Sequence, residues 1–368
     1  NEPTFRDELK RLLGGIAPFD NVADKGGYTP INSAAKALRV YRHSAYLRIG
    51  ARDLLEISDV ESTTAELSNL ASASLDAAVE FSSRHLKNTY GEPLYTNDSG
   101  GVSEAVFTVI GLGKLGGGEL NFSSDIDIIY VYSSDKGETA GIKGDGGDVD
   151  NRPGTNPRFG HTGTRISLHA FFIKLAAMVN KLIGAVTEDG FVFRVDLDLR
   201  PEGRSGDLAG PLQSLEIYYE SWGQLWERAA FIKARPVGGD KTLGAEFLAM
   251  IRPFVYRRYL DFTAIEEIKV MKEKIDLSLL RKNPDTVDVK LGAGGIREIE
   301  FFCQALQLIH GGKDPVLRER NTLRTIERLK HAGFLKEKDA LTLFEGYKFL
   351  RNLEHRIQIV EGLQTQAI

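Results

Sequence analysis

The chain has 368 residues, of which 42% are hydrophobic and 27% charged, and its 47 basic and 51 acidic residues give a formal net charge of −4. This composition excludes a disordered chain and argues against nucleic acid as a partner, and no apolar run reaches the roughly 18 residues of a membrane span. The one cysteine, Cys303, excludes an intramolecular disulfide and a cysteine-cluster zinc site, so we expect a globular protein of the reducing cytoplasm with two to three domains of about 150 residues each.

The first hundred residues carry a helical pattern. Apolar residues recur at roughly helical spacing from Leu38 to Leu55 and again from Leu67 to Phe81. The segment from Gly91 to Gly101 is rich in glycine and short polar residues, which is typical of a loop. We therefore predict a helical N-terminal domain over residues 1–98.

The middle of the chain, residues 99–262, mixes strand and helix patterns. Apolar runs and periodicity predict two strands and two helices, in the order Ala105–Ile110, Ile126–Tyr132, Ile166–Ile183 and Gln213–Ala234. Strict alternation from Phe191 to Leu199 predicts a further strand, apolar on one face and carrying Asp196 on the other. Residues 133–163 are rich in Gly, Asp, Ser, Thr and Pro without periodicity, so we predict a mobile surface loop there.

The last part of the chain is predicted to be mostly helical. Val287 to Leu291 is predicted as a short strand, followed by a glycine-rich turn and a new helix. The final helix has an apolar packing seam at spacings of three and four residues, formed by Leu350, Leu353, Ile357 and Val360. We predict a C-terminal helical domain over residues 263–368, with a short β-hairpin or turn near residues 287–296. Because the sequence starts at Asn1 rather than Met and stops just after this helix, we expect a piece of a longer protein.

The stretch from Ala105 to Tyr132 has two interpretations. Gly111, Gly113 and Gly116 satisfy the dinucleotide-binding pattern G-x-G-x-x-G after a strand. However, the next strand already starts near Asp125, which leaves too little chain for a crossover of a dozen or more residues between parallel strands. The glycine turn instead favours a short helix that offers backbone N–H groups to phosphate.

The second interpretation rests on two acids, Asp125 and Asp127, at the start of the second predicted strand. Residues two apart share a strand face, so the two carboxylates repel each other unless a cation lies between them. Oxygen ligands suit Mg²⁺, which takes one or two carboxylates plus phosphate oxygens, and Asp196 on the alternating strand is a candidate third ligand. The pattern favours metal-dependent phosphoryl or nucleotidyl transfer; the structural alternative is that both acids are turn or cap residues.

The residues from Gly111 to Asp127, Gly-Leu-Gly-Lys-Leu-Gly-Gly-Gly-Glu-Leu-Asn-Phe-Ser-Ser-Asp-Ile-Asp, resemble the signature of the bifunctional adenylyltransferases and adenylyl-removing enzymes of glutamine synthetase. The resemblance extends over most of the chain, through the segments Tyr46–Leu55, Asp189–Asp196, Trp226–Arg228, Lys233–Arg235, Lys290–Phe301 and His355–Gln358. Asn121 to Ser124, before the acids, is similar to the N-terminal, adenylyl-removing half of the family rather than to its transferring half. Family members carry two catalytic halves, and one is present here.

This resemblance implies an α+β fold, in which a mixed-sheet nucleotidyltransferase domain similar to DNA polymerase β is flanked by helical domains. The implied reaction is phosphorolysis, in which orthophosphate attacks the AMP phosphorus on an adenylylated tyrosine of glutamine synthetase and ADP leaves. The implied partners are glutamine synthetase, the signal protein PII, orthophosphate and ADP or ATP. The alternatives are the transferring half, which uses ATP, and a regulatory module that senses nucleotide or PII.

The resemblance also implies roles for single residues. Two Mg²⁺ ions are expected, held by the catalytic acids Asp125, Asp127 and Asp196. Nucleotide or phosphate is expected to bind at Gly113, Lys114, Gly116, Gly117 and Ser124.

Two further charges share the predicted face of Asp196. Arg194 is expected to hold either carboxylates or phosphate. Asp198, which stands where the family usually has Arg, is expected to be a further acid of the site or a solvated residue.

The segment after this strand contains two tryptophans and three cations. Trp222 and Trp226 are expected in the core. Arg228, Lys233 and Arg235 are expected on a solvated face, with contacts to an anionic substrate as the alternative. Cys303 lies among apolar residues and is expected to be a small core residue.

Overall fold

The computed structural model describes residues 2–16, 29–97, 99–142, 164–258 and 288–361. Residues 143–163 of the predicted surface loop and the predicted domain boundary at 262–263 lie outside these residues. The described chain is a mixture of helices and small mixed sheets. None of its helices is long and apolar enough to cross a membrane.

In chain order the elements are α1 Glu2–Gly14, α2 Pro30–Leu54, α3 Val60–Tyr90, β1 Pro93–Thr96, β2 Val102–Glu104, β3 Phe107–Gly111, α4 Gly113–Gly117, β4 Ile126–Tyr132, β5 Gly137–Thr139, α5 Leu168–Gly184, β6 Val195–Asp196, β7 Ala209–Pro211, α6 Leu212–Ser221, α7 Leu225–Phe231, β8 Arg235–Gly239, α8 Lys241–Val255, α9 Ile296–His310, α10 Thr322–His331 and α11 Glu337–Glu361. The strand predicted at Ile126–Tyr132 is confirmed residue for residue as β4. The helix predicted at Ile166–Ile183 is confirmed as α5, displaced by one or two residues.

The central sheet has the strand order β6–β4–β3–β8, and β7 also pairs with β4. β3 is antiparallel to both β4 and β8, whereas β6 and β7 run parallel to β4. β6 lies beside the first residues of β4 and β7 beside the last ones. β1 and β2, which precede β3 in the sequence, and β5, which follows β4, form a small antiparallel sheet of strand order β2–β1–β5.

The central sheet is buried on both faces. Ile128 and Tyr130 of β4 pack into a core with α3 and α5, whereas Ile129 and Val131 pack into a second core with α6, α7 and α8. A strand covered on both faces needs apolar residues at nearly every position, which explains the uninterrupted run in the sequence. Asp127 is the polar exception in β4, and it shares the face of Ile129 and Val131.

Two predicted elements of the middle region are wrong in extent. The strand predicted over Phe191–Leu199 is regular only at Val195–Asp196, because the N–H groups of Val192 and Phe193 donate to the Ile183 carbonyl at the end of α5 instead of a neighbouring strand. The helix predicted over Gln213–Ala234 is broken into α6 and α7. At the break, a side chain at Gly223 would collide with Phe254, and Gln224 forms a capping box with Glu227 that starts α7.

The strand predicted at Val287–Leu291 is not formed by its described residues. Val289 to Leu291 lie in turns, in which the Gly292 N–H donates to the Asp288 carbonyl at 2.7 Å and the Ile296 N–H to the Val289 carbonyl at 3.1 Å. The turn leads directly into α9, which packs with α10 and α11 around a third core.

Toward the C-terminal end of α11, from Arg351 onward, the buried face of the helix is polar rather than apolar. The predicted seam residues Leu353 and Ile357 are only partly buried. The fully buried side chains nearby are Arg351, Glu354, His355 and Gln358. Their partners, described below, lie in the signature segment more than 200 residues earlier, so helical periodicity alone does not reveal them.

Candidate active site

The parallel pairing of β4 and β6 places two of the predicted acids next to each other. Asp127 and Asp196 are direct register partners in this ladder, so their side chains lie on one face of the sheet. Gly113 lies against the Asp127 carboxylate, and a Cβ atom at Gly113 would collide with Asp127 Oδ2. The φ angle of Gly113 is +50°, a left-handed conformation that also favours glycine. The first residue of α4 therefore leaves space for the acid.

The third acid, Asp125, turns toward a cation instead. Its Oδ1 accepts from Arg194 Nε at 2.5 Å, and Arg194 also donates to the Ser123 carbonyl. Across the described ranges, no group of three or more His, Cys, Asp or Glu side chains is placed to hold a metal ion together. The predicted convergence is seen in the register pairing of Asp127 with Asp196, while the Asp125 carboxylate is ion-paired with Arg194.

Asp198 does not belong to the acid pair. Its carboxylate is ion-paired with Arg204 at 3.1 Å and is half exposed, and this neighbour lowers its pKa. Its backbone N–H donates to Asp196 Oδ1 at 2.8 Å. Asp198 thus contributes its backbone to the orientation of Asp196.

The electrostatics of Asp127 fit a hard cation bound near phosphate. Burial, followed by the charges of Asp196 and Asp125, raises the pKa of Asp127 to about 6, while Lys290 and Lys114 act in the opposite direction. Two adjacent carboxylates supply the oxygen ligands that a hard divalent cation prefers. The chemistry of the donor set therefore fits a divalent metal, with two lysines close enough to balance phosphate charge.

The predicted phosphate-binding residues have different surroundings. Lys114 Nζ donates to Glu354 Oε1 at 2.8 Å, and burial together with Arg351 lowers the pKa of Lys114 to about 8. Ser124 Oγ is buried without a hydrogen-bond partner in the described structure. The Gly116 N–H is already used, because it donates to the Leu112 carbonyl at 2.7 Å.

Gly116 and Gly117 have a packing explanation. A Cβ atom at Gly116 would collide with the Lys233 carbonyl, and one at Gly117 would lie 2.7 Å from Glu119 Oε2. These glycines allow α4 to lie directly on neighbouring groups, and a role for them in phosphate binding stays a prediction.

A buried polar cluster joins the signature segment to the C-terminal helices. Its members are Lys114, Glu119, Asn121, Lys233, Glu300, Thr322, Arg351 and Glu354. Three cations and three carboxylates balance within the cluster, which is what burial of so many charges requires.

One half of the cluster is built around Lys233. Its Nζ donates to Glu119 at 2.7 Å, to Glu300 at 2.9 Å and to Thr322 at 3.1 Å. The Lys233 ammonium lowers the pKa of Glu300 to about 2 against the opposing effect of burial. The Thr322 N–H donates to Glu119 Oε1 at 2.6 Å, so Glu119 also holds the first turn of α10.

Of the three cations expected on a solvated face, Arg228 and Lys233 are instead buried and Arg235 is partly buried. Lys233 lies in the buried polar cluster, Arg228 donates to the Val255 carbonyl, and Arg235 donates to the Leu115 carbonyl. Trp222 and Trp226, expected in the core, are 70% and 44% exposed. The prediction for the two tryptophans was wrong because it assumed one continuous helix, which is broken near Gly223.

Sequence reasoning missed Lys290, Arg351 and Glu354. Lys290 acts on the Asp127 charge from the turn before α9. Arg351 and Glu354 interrupt the apolar pattern of the last helix, and two charges on a predicted seam are the signal that could have indicated buried partners. Cys303 is buried as expected, and burial raises the pKa of its thiol to about 12.

His355 predicts a loss of stability in mild acid. It is buried, its ring centroid lies 4.9 Å from that of Phe122, and its Nε2 lies 3.5 Å from Asp53 Oδ1. Burial outweighs Asp53 and lowers the pKa of His355 to about 4. The folded-state pKa of His355 is thus below the usual value of about 6.5. The neutral, buried imidazole therefore leaves the free energy of unfolding undiminished above pH 6.5, and this free energy falls by about 3 kcal/mol in total as the pH falls toward 4.

Urea unfolding of wild type and His355→Phe at pH 7.5 and pH 4.5 tests this prediction. We expect the substitution to reduce the difference in unfolding free energy between the two pH values. An equal pH dependence in both proteins would contradict the assignment.

Comparison with known proteins places these features in a family. The sequence model of a family described as glutamate-ammonia ligase adenylyltransferase matches residues 19–152 and 154–250, and that of a family described as GlnD PII-uridylyltransferase matches residues 269–368. The bifunctional glutamine synthetase adenylyltransferase/adenylyl-removing enzyme of Hahella chejuensis is 42% identical over 364 residues, which are 99% of this chain and 34% of the relative. The protein of the same description from Pseudomonas syringae pv. tomato is 44% identical over 331 residues, 90% of this chain and 31% of the relative. The chain thus spans about a third of the length of these curated relatives.

Proposed function

Because the chain belongs to the glutamate-ammonia ligase adenylyltransferase family, we propose that it is a nucleotidyltransferase that removes AMP from an adenylylated tyrosine of glutamine synthetase by phosphorolysis. The observation that carries the proposal is the pairing of Asp127 with Asp196 across the parallel strands β4 and β6. The names of the relatives support both the adenylyl chemistry and the protein substrate.

The arrangement around α4 supports a fold similar to DNA polymerase β. A strand, β3, is followed by a glycine-rich turn and the short helix α4, and the next strand starts with the acids. A third acid comes from a strand parallel to β4. We infer this fold for the central domain, with helical regions before and after it.

Asp127 and Asp196 would hold Mg²⁺, and Asp125 would join them once its pair with Arg194 opens. When bound, the metal supplies positive charge that polarises the phosphoryl group. We propose two ions, because orthophosphate and the adenylyl group each bring phosphate oxygens to the site.

The protein's own residues orient and neutralise the reactants. Lys114 and Lys290 balance the charge of orthophosphate and of the AMP phosphate, and the unpartnered Ser124 hydroxyl donates to a phosphate oxygen. An orthophosphate oxygen forms the new bond to the AMP phosphorus, and the bond from that phosphorus to the tyrosine oxygen breaks. ADP leaves, and the tyrosine oxygen takes up a proton.

The direction of the reaction rests on the sequence before the acids. Asn121 to Ser124 resembles the adenylyl-removing half, so we propose removal rather than transfer from ATP. The match of residues 269–368 to a PII-uridylyltransferase family supports PII as a regulatory partner.

Incubation with adenylylated glutamine synthetase, Mg²⁺ and phosphate is expected to release ADP. The release should require phosphate and stop when the metal is chelated, because phosphate supplies the attacking oxygen. Chromatography of the nucleotide products distinguishes the outcomes. Release of AMP would indicate hydrolysis, labelling of unmodified synthetase from ATP would indicate the transferring half, and PII or nucleotide binding without turnover would indicate a regulatory module.

A further inference from the structure

The buried face of α11 lies along the segment that leads to the acids. Arg351, Glu354, His355 and Gln358 follow one another at spacings of three, one and three residues, so they lie on one face of the helix. All four are buried. Together they contact every residue of the signature segment from Glu119 to Ser123 except Leu120.

Successive residues of the buried face of α11 contact successive residues of the segment 119–123. Arg351 donates to the Glu119 carbonyl and to Asn121 Oδ1, the latter at 2.7 Å. The His355 ring packs on Phe122, and the Ser123 N–H donates to Gln358 Oε1 at 3.4 Å. About two turns of α11 therefore support the chain up to two residues before Asp125.

Glu354 makes the central contact of this face. Its Oε2 accepts from Asn121 Nδ2 at 2.7 Å and its Oε1 accepts from Lys114 Nζ at 2.8 Å. The Glu354 side chain has no exposed surface, whereas that of Lys114 is 14% exposed. Lys114 follows Gly113, which lies against the Asp127 carboxylate. One carboxylate thus fixes both the acid-bearing segment and the lysine beside the acids.

We propose that Glu354, on the C-terminal helix α11, is a positioning residue for the phosphate site. It holds the Lys114 ammonium beside Asp127 and fixes the segment around Asn121 to α11. This proposal rests on the proposed function for the identity of the phosphate. Helix α11 would thus contribute to the site although Glu354 lies 240 residues after Lys114 in the sequence.

The test uses Glu354→Gln, which keeps the length of the side chain but offers one oxygen where the carboxylate accepts from Lys114, Asn121 and Arg351. We expect the KM for orthophosphate to rise about tenfold, the effect of losing one charged hydrogen bond that orders a binding group, with kcat changed much less. In a Lys114→Met background, Glu354→Gln should give no further rise in KM, because the lysine through which it acts is absent.

Glu300→Gln is the matched control. Glu300 is also a carboxylate of the buried polar cluster, but it accepts from Lys233 and Tyr347. We expect it to lower the melting temperature without a change in the KM for orthophosphate. A purely structural role of Glu354 predicts the same behaviour for both variants, and that result would overturn the proposal.

Amide hydrogen exchange gives a readout that does not depend on turnover. Glu354→Gln should raise exchange in residues 119–124 about tenfold or more, since the segment loses one of its anchors. If this variant does not fold, Lys114→Met combined with Glu354→Gln keeps the cluster neutral and should raise the same exchange relative to Lys114→Met alone. Unchanged exchange would refute the positioning role, whereas a wild type without phosphate-dependent ADP release would refute the proposed function alone.

Discussion

Asp127→Asn is expected to abolish AMP release while it stabilises the metal-free protein. The substitution keeps the shape of the side chain but removes the charge that faces Asp196, so activity should fall about a thousandfold or more, as when one electrostatic stabiliser is removed. Mg²⁺ binds the folded site and should raise the melting temperature of the wild type by mass action. The shift should be much smaller in Asp127→Asn.

The stability effect has a defined pH window. The pKa of Asp127 is raised to about 6 in the folded protein from its ordinary value of 3.8. Its charge therefore destabilises the fold above pH 6, and this penalty disappears as the pH falls toward 4. With EDTA present, urea unfolding should show Asp127→Asn to be more stable than wild type at pH 8 by up to about 3 kcal/mol, and nearly equal at pH 4.

Asp198→Asn is the matched control for Asp127→Asn. Asp198 lies two residues after Asp196, but its carboxylate is half exposed and pairs with Arg204. We expect near-normal activity and an undiminished Mg²⁺ shift for this variant. An Asp127→Asn protein that behaved in the same way would show that the acid pair is structural and that the reaction occurs elsewhere.

Lys233→Met is expected to lower the free energy of unfolding more than any other substitution considered above. Lys233 is buried and is the common donor to Glu119 and Glu300. Removing it leaves two carboxylates near each other without a cation, which destabilises a fold by about 3–5 kcal/mol. Urea unfolding at pH 7.5 measures this loss directly.

Lys330→Met is the matched control for Lys233→Met. Lys330 also pairs with a glutamate, Glu337, at 3.3 Å, but the pair is at the surface. Its removal should change the unfolding free energy by less than about 1 kcal/mol. A similarly small effect of Lys233→Met would indicate that the buried polar cluster does not hold the signature segment to the C-terminal helices.

The cluster changes how the signature is understood. Glu119 and Asn121 are buried and bind other parts of the protein, so under the proposed function they would act through the position of the chain rather than through contact with substrate. Asp125 and Asp127, by contrast, lie just before and at the start of β4, and Lys114 lies in α4. Under the proposed function, a single motif would combine residues for chemistry with residues for assembly.

The sequence by itself determined the elements whose pattern is local. The apolar runs of β3, β4 and α5 follow from burial on both faces of a sheet or one face of a helix, and these depend on neighbours two to four residues away. The spacing of Asp125 and Asp127 and the alternation around Asp196 similarly identified three acids, of which Asp127 and Asp196 lie side by side in the structure.

The partners of the charged residues, by contrast, depend on the three-dimensional fold. Lys114 and Glu354 are 240 residues apart in the chain and Lys233 and Glu119 are 114 apart, and no local period encodes such pairs. The same holds for Asp125, whose carboxylate accepts from Arg194, 69 residues later in the chain. A buried charge is stable only beside its counter-charge, so whether a charged residue lies at the surface, in the site or in the interior is determined by residues that are distant in sequence.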